Sequence, residues 1–183
     1  MTESVIAVVS TVIGTIVGWI LGNIKFGRLF LSVSNEKTEP HYTDPHSLSV
    51  PGKWDYELYN VKISFVINLY NSSQIVRAIR DCQLAFLDNC KKEIACLPVM
   101  DEATRLFSAG GYRWDDVDVV NVGAYESMNL SAVLFVSDIE TVYNTHEIRF
   151  KYKDERFRQR TIEFKDVDLT AIPRFCKEDF CDE

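Results

Sequence analysis

The sequence predicts an all-β domain, an antiparallel β-sandwich of about six to eight strands, behind one N-terminal transmembrane α-helix. Two observations carry this prediction. Residues 4–24 contain no charged side chain, and from residue 56 onward apolar and polar residues alternate in short segments separated by turn residues. The chain has 183 residues, of which 46% are hydrophobic and 12% aromatic. That composition fits one packed domain plus an anchor and excludes a disordered chain.

The uncharged N-terminal segment has the length of a membrane span. At ~1.5 Å per residue, about 20 residues cross a hydrocarbon layer of ~30 Å. Inside lipid each backbone polar group needs an internal partner, so the segment is predicted to be a helix despite its many Val and Ile residues. A cleaved signal peptide would carry positive charge before the apolar run, but Glu3 precedes it here. A buried core helix of this length would contain more polar positions.

The residues flanking this segment predict its orientation. Lys25 and Arg28 follow the apolar run, and Lys and Arg beside a span stay in the cytosol. We therefore expect a plasma or bacterial inner membrane protein with its N-terminus outside and its C-terminal domain in the cytosol. Trp19 lies near the end of the run, where an indole ring can occupy the headgroup layer. The odd count of five cysteines also favours a reducing compartment.

Small residues recur along the predicted helix at every fourth position. Such residues share one face and let two membrane helices approach closely. We therefore expect the helix to pack against a second copy or against another membrane protein, although glycine is common in lone membrane helices too. The residues of this predicted packing face are Ser10, Gly14, Gly18 and Gly22.

Residues 25–55 are predicted to form a juxtamembrane strand followed by a linker. Leu29, Leu31 and Val33 alternate with Phe30 and Ser32, which is typical of a strand. From residue 34 onward Pro40, Pro45 and Pro51 fall among polar residues; prolines exclude a helix and a central strand. We therefore predict a loop over residues 34–55, packed at most along a sheet edge.

Residues 56–165 are predicted to form the sandwich. The first strand is marked by alternating apolar residues at odd positions from Val61 to Leu69, and Asn71 opens the turn that ends it. Further strands are predicted at residues 76–87, 94–97, 114–122 and 128–136, with a helical turn at 101–107. The amphipathic pattern favours a sandwich over a ligand-holding barrel. The strand, Asn-Ser turn and strand at this opening resemble immunoglobulin-like accessory domains of bacterial membrane proteins.

The C-terminal part of the domain is predicted to be a hairpin, residues 146–152 and 157–164, before an acidic tail at 166–183. Basic side chains cluster on this hairpin. On a domain tethered to an anionic leaflet they could add membrane attraction, whereas a charged edge strand that prevents aggregation is the alternative. The residues of this candidate basic surface are Lys151, Lys153, Arg156, Arg158 and Arg160.

The sequence contains no recognisable catalytic, metal or cofactor motif. His41, Asp44 and His46 lie on the Pro-containing loop without further ligands, and Asp116 and Asp118 alternate along a predicted strand. We therefore predict no catalytic residue, no metal and no cofactor. The net charge of −7 argues against nucleic-acid binding, which depends on basic residues.

These observations predict a non-enzymatic, membrane-anchored interaction or ligand-sensing module that self-associates through its helix. Its partners would be the lipid bilayer and another copy or another membrane protein. The alternative is a membrane-perturbing effector of the defence or phage-exclusion type, triggered through the cytosolic β-domain.

Overall fold

The computed structural model describes residues 27–43, 49–51, 58–108, 111–165, 167–170 and 172. These residues form eleven strands and one short helix, α1 (Ile139–Asn144). The strands are β1 (Leu29–Thr43), β2 (Ser49–Pro51), β3 (Leu58–Asn71), β4 (Arg77–Leu87), β5 (Glu93–Pro98), β6 (Met100–Ser108), β7 (Gly111–Asp116), β8 (Val119–Val122), β9 (Ser127–Val136), β10 (Glu147–Lys153) and β11 (Gln159–Glu163).

The strands form two antiparallel sheets, as the sequence predicted. The larger sheet has six strands in the order β2-β1-β3-β9-β6-β7, and the smaller has five, in the order β11-β10-β4-β5 with β8 also beside β4. The core lies between the sheets, which makes the fold a β-sandwich. The eleven strands exceed the six to eight predicted because β2 lies within the predicted linker, β6 forms where a helical turn was predicted, and one predicted strand divides into β7 and β8.

The alternation in β3 sets the inner face of the larger sheet. All five odd-numbered apolar residues from Val61 to Leu69 are buried, whereas the residues between them are only half-buried. Because successive strand side chains point to opposite faces, this one strand provides a continuous apolar ridge. From the smaller sheet, Leu84, Phe86 and Phe150 are fully buried in the same core. The first strand, its inward face and the turn at Asn71 are confirmed.

The linker prediction is wrong over residues 34–43. Strand β1 continues to Thr43 and pairs with β3 from Leu29↔Asn71 onward, with register shifts after Asn35 and His41. Pro40 is accommodated because, among the described strands, β2 borders the other side of β1 only at residues 41–43. A missing N–H is tolerated in a strand with a largely open edge. The register shifts and the open edge depend on the strands beside β1, so the residue preferences of this segment alone could not predict them.

Two further local predictions differ from the structure. Residues 101–107 belong to strand β6 and not to a helical turn. The predicted strand over 114–122 divides into β7, in the larger sheet, and β8, in the smaller. The chain crosses between the sheets at Val117, whose N–H donates to the Val99 carbonyl at 2.7 Å. Val117 and Val120 are both buried and Val119 is exposed, whereas a continuous strand would place Val117 and Val119 on one face and Val120 on the other.

The predicted C-terminal hairpin is confirmed as β10 and β11, which pair from Arg149↔Glu163 to Lys153↔Gln159. Its turn is held by Asp154, whose carboxylate accepts hydrogen bonds from the backbone N–H groups of Arg156 and Arg158 at 2.9 and 3.0 Å. An acidic residue that binds its own following backbone is a common turn former.

The predicted transmembrane helix, residues 4–24, lies outside the described residues, as do Trp19, Lys25 and the tail from residue 173. Within the described part of the chain no helix is long and apolar enough to span a membrane. The span and its packing face, Ser10, Gly14, Gly18 and Gly22, therefore remain predictions.

Candidate interaction surfaces

The chain enters the sandwich at the end where β1 starts and β3 stops, which we call the entry end. Gly27 has φ +97°, and a Cβ there would lie 2.4 Å from the Ser72 carbonyl oxygen. Only glycine therefore fits this close approach. The next residue, Arg28, is tied to the same turn: its N–H donates to Ser72 Oγ at 2.9 Å and its carbonyl accepts from the Ser72 N–H at 2.9 Å. The first described residues are thus fixed to the domain.

Asn71 organises the entry end from inside. Its side chain is fully buried, and Nδ2 donates to the carbonyls of Ile75, Val122 and Gly123 at 2.7, 3.1 and 2.8 Å. Its Oδ1 accepts from the N–H and hydroxyl of Ser73 at 2.9 and 2.6 Å. Five hydrogen bonds on one amide join three chain segments across both sheets. This geometry is structural and offers no group for chemistry.

Beside Asn71, an open cleft of about 460 Å³ is lined by charged residues. Arg77 is one of the lining residues; its Nε donates to Ser73 Oγ at 3.2 Å and a terminal nitrogen pairs with Glu155. A second ion pair joins Arg160 to Asp154 at 3.0 Å. Burial raises the pKa of the Tyr152 hydroxyl, which also lines the cleft. Four of the charged residues that line the cleft pair with one another, and Arg28 is the one lining charge that no described ion pair engages. The cleft therefore lacks the set of converging polar groups that a ligand site usually presents.

The candidate basic surface does not form one patch. Lys151 pairs with Glu93, and Lys153 pairs with Asp81 at 2.7 Å. Arg160 is engaged within its own hairpin as described above. Arg156 and Arg158 have exposed side chains at the hairpin turn, and no described carboxylate forms an ion pair with either. Arg28, one of the two basic residues that predict the orientation of the span, is also exposed and lies at the entry end.

The β6–β7 hairpin carries a surface that the sequence analysis missed. Phe107 packs on Tyr112 with 5.2 Å between ring centroids, Tyr112 lies 6.0 Å from Trp114, and Trp114 lies 5.1 Å from Phe135. We call these four residues the aromatic strip. The Arg105 guanidinium lies 4.0 Å above the Tyr112 ring, a cation–π distance. Phe107 is 76% exposed and Tyr112 54%, so the strip presents a wide apolar surface to solvent.

The backbone of this hairpin is fixed although its pairing is irregular. The register shifts between Asp101 and Leu106, and Thr104 bridges the interruption. Its hydroxyl donates to the Asp101 carbonyl at 2.8 Å and accepts from the Asp115 N–H at 2.8 Å. The Trp114 indole donates to Glu102 at 2.9 Å. The strip combines residues of three strands, with Phe107 on β6, Tyr112 and Trp114 on β7, and Phe135 on β9, so the pattern along one segment could not reveal it.

The described residues bring together no group of three His, Cys, Asp or Glu side chains that could hold a metal ion. Burial, with a smaller contribution from nearby Asp81, raises the pKa of the Cys82 thiol to about 12, which suppresses the reactive thiolate. Of His41, Asp44 and His46, the structure describes His41, which lies in β1. Burial lowers the pKa of its imidazole. Asp44 and His46 lie outside the described residues.

Comparisons with known proteins identify one family. Residues 44–165 match the model of the YopI Ig-like domain. Among solved structures, the X-ray structure of Northeast Structural Genomics Consortium target SoR45 is 6% identical, with a TM-score of 0.33 over 76% of this chain and 81% of that chain; a likeness of that size supports no conclusion. None of the curated proteins matches the sequence. Because the matched region covers more than half of the 183 residues and the structure is a two-sheet sandwich, the chain belongs to the YopI Ig-like domain family.

Proposed function

We propose that this chain is a non-enzymatic, membrane-anchored Ig-like module that binds a partner protein through the aromatic strip. Residues 4–24 anchor it as a single transmembrane helix, and the sandwich lies on the cytosolic side. The observation that supports partner binding is the exposure of Phe107 and Tyr112 on a hairpin whose two strands are joined through the hydrogen bonds of Thr104. Monomeric proteins rarely leave such clusters uncovered.

The chemistry of the strip indicates what the partner must offer. Trp, Tyr and Arg dominate the energetics of protein interfaces because they combine large apolar area with a polar group. Arg105 lies over Tyr112, and its guanidinium is 3.5 Å from Glu102, so a partner carboxylate could compete for the arginine while its apolar residues cover Phe107. Strand β7 is also the last strand of the larger sheet among those described, which leaves an edge beside the strip for backbone pairing.

The test is site-specific photocrosslinking of the full-length chain in native membranes. A photoreactive phenylalanine analogue replaces Tyr112, and the same analogue replaces Ile139 as a control, since Ile139 is 40% exposed but lies on α1. We expect a discrete protein adduct from position 112 that is absent from position 139 and is lost in the Phe107→Ser background. Equal patterns at the two positions, or lipid adducts alone at 112, would refute the proposal.

The structure also favours a second candidate, the membrane-perturbing effector. Its supporting observation is the junction at Gly27, where a Cβ would lie 2.4–2.6 Å from backbone atoms of Ser72 and Ser73 and where Arg28 is hydrogen-bonded to Ser72. A reorientation of the sandwich would then be passed on to the preceding helix and its packing face. Induced expression separates the candidates: an effector arrests growth or depolarises the membrane, and Gly18→Leu relieves the effect whereas Ile16→Leu does not. A chain that is inert when expressed alone supports the interaction module.

A further inference from the structure

Exposed apolar side chains are concentrated at the entry end of the sandwich. Strand registers place them there: Leu29 is opposite Asn71, Tyr70 is opposite Ser127, and Arg77 is opposite Val122. The turn at Tyr125 is tied to the same region, because the Tyr125 N–H donates to the Ser73 carbonyl at 3.2 Å. Five large apolar residues at this end are 44–68% exposed: Phe30, Tyr70, Val76, Tyr125 and Phe157.

Two of these residues occupy backbone positions that disfavour them. Tyr125 has φ +57° and Phe157 φ +58°, the left-handed region in which a bulky side chain is a true outlier and where Gly or Asn is the usual residue. The Arg80 guanidinium lies 5.4 Å from the centroid of the Phe157 ring. Tyr125 and Phe157 are nevertheless each more than 60% exposed. Strained, outward-facing aromatics at turns point to a role outside the packed domain.

The unpaired basic groups of the hairpin lie at this end as well. The exposed side chains of Arg156 and Arg158 flank Phe157 in the turn, and Arg28 is exposed at the chain entry. No ion pair within the described part of the chain engages these three arginines, although the chain as a whole carries a net charge of −7. The entry end therefore combines exposed aromatic rings with exposed arginines on a molecule that is acidic overall.

The position of the chain entry identifies what this surface faces. The uncharged segment ends at residue 24, and Gly27 is already fixed to the Ser72–Ser73 turn. At most two residues, Lys25 and Phe26, separate the proposed span from the domain. An extended residue reaches about 3.5 Å, so the entry end cannot move far from the bilayer surface.

We infer that the entry end is a lipid-contacting surface, which Tyr125 and Phe157 anchor in the headgroup layer while Arg28, Arg156 and Arg158 bind the phosphates of an anionic leaflet. The inference rests on the proposed membrane anchor and adds a second, peripheral contact to it. Aromatic rings favour the interface because one part of it is apolar and the other wet, and basic groups are attracted by anionic lipid.

The experiment uses the full-length chain reconstituted in vesicles of phosphatidylcholine with phosphatidylglycerol. A photoreactive phenylalanine analogue is placed at Phe157 or Tyr125, or at the controls Ile139 and Ile94, which are exposed apolar residues toward the other end of the strands. We expect about tenfold more lipid adducts, measured by mass spectrometry, at the entry-end positions, as for a residue held at the interface. Equal adduct yields at all four positions would overturn the inference.

Two sets of variants test the aromatic contact and the phosphate contact separately. Phe157→Asn suits the left-handed backbone and should leave folding intact while lowering the adduct yield at Tyr125; Ile139→Asn should not lower it. Replacing Arg156 and Arg158 with Glu should lower the yield in anionic vesicles but not in pure phosphatidylcholine, whereas Lys92→Glu, at the exposed β4–β5 turn, should change neither. If Arg156 and Arg158 can be reversed without effect in anionic vesicles, the phosphate contact is wrong.

Carbonate extraction of the same vesicles separates this inference from the proposed anchor. A chain that resists extraction but shows equal adducts at Phe157 and Ile139 is anchored without the lipid contact, which overturns the inference alone. A chain released by carbonate lacks the anchor, and both the anchor and the lipid contact are then wrong.

Discussion

Asn71 shows how one side chain can hold the end of a sandwich. The amide has two donor hydrogens and an acceptor oxygen, and here it satisfies the carbonyls of Ile75, Val122 and Gly123 together with the Ser73 N–H and hydroxyl. A turn at this residue was predictable, because Asn frequently bonds the backbone that follows it. Its contact with Val122 was not, because that partner is 51 residues away.

Removing this amide should destabilise the protein strongly. In Asn71→Ala, buried carbonyls and the Ser73 N–H lose their partner, and each unsatisfied buried group costs about 1–3 kcal/mol. We expect a loss of about 3 kcal/mol or more in the free energy of unfolding, measured by urea titration. Asn68→Ala is the control, because Asn68 lies on the same strand but donates a marginal bond of 3.5 Å to Ser34. Equal losses in the two variants would contradict the role given to Asn71.

Cys82 makes stability depend on pH in the alkaline range. Burial raises the pKa of this thiol from about 9 to about 12, so the thiol stays neutral in the folded protein while it ionises in the unfolded chain. Stability is therefore unaffected below about pH 8.5 and falls by up to about 1.4 kcal/mol per pH unit between that pH and 12. Between pH 7.5 and 10, Cys82→Ala should lose less stability in urea titrations than the wild type does. Cys90→Ala, at an exposed position, should follow the wild type.

At the scale of elements, β1 is the strand that the sequence could only half predict. Leu29, Leu31 and Val33 are partly buried against the core, and their alternation was visible. Beyond Val33 the strand continues because β3 offers it a long edge, even though Pro40 and polar residues favour a loop. Pairing with a well-formed neighbour outweighed local propensity, as is common for strands. Residues 101–107, predicted to be a helical turn, likewise form part of strand β6 because they pair with neighbouring strands.

Truncation should reveal what β1 contributes. A chain starting at Gly27 retains the strand, whereas a chain starting at Tyr56 leaves the edge of β3 unpaired and uncovers core residues beside Leu29 and Leu31. We expect the first to be soluble with a cooperative thermal transition by circular dichroism, and the second to aggregate, because a long unpaired edge is a template for association. Two equally soluble and cooperative chains would show that β1 is dispensable.

For the whole molecule, the alternation of apolar residues was sufficient to predict two antiparallel sheets and their inward faces. It was not sufficient to predict which sheet each strand joins. The valines from Val117 to Val122 fit a strand in either sheet by residue type, and the change of sheet is shown by the pairing of β8 with β4 and by the hydrogen bond from Val117 to Val99. The aromatic strip was missed for a related reason, since Trp114 and Phe135 approach each other from different strands.

The proposed orientation can be tested with a cysteine that the structure places on the surface. Cys90 is exposed in the β4–β5 turn, whereas Cys82 is buried. If the sandwich is cytosolic, a membrane-impermeant maleimide should label Cys90 only after the cells are permeabilised. The Cys90→Ser variant, in which Cys96 is the remaining partly exposed cysteine among those described, measures the background. Labelling of Cys90 in intact cells would reverse the proposed topology.

The pairing of β1 with β3 also has a consequence for biosynthesis. Leu29 can pair only after its partner Asn71, 42 residues further along the chain, has been synthesised. At about 5–20 residues per second this delay is about 2–8 s. The other edge of β3 waits longer, until β9 reaches Val136 opposite Val61. If the N-terminal segment is already in the bilayer by then, the nascent strand is held near the membrane with the N–H and C=O groups of its edges unpaired. Ribosomes translating one message would bring such chains together, so we expect the risk of mispairing to increase with the density of translation and not only with the final amount of protein.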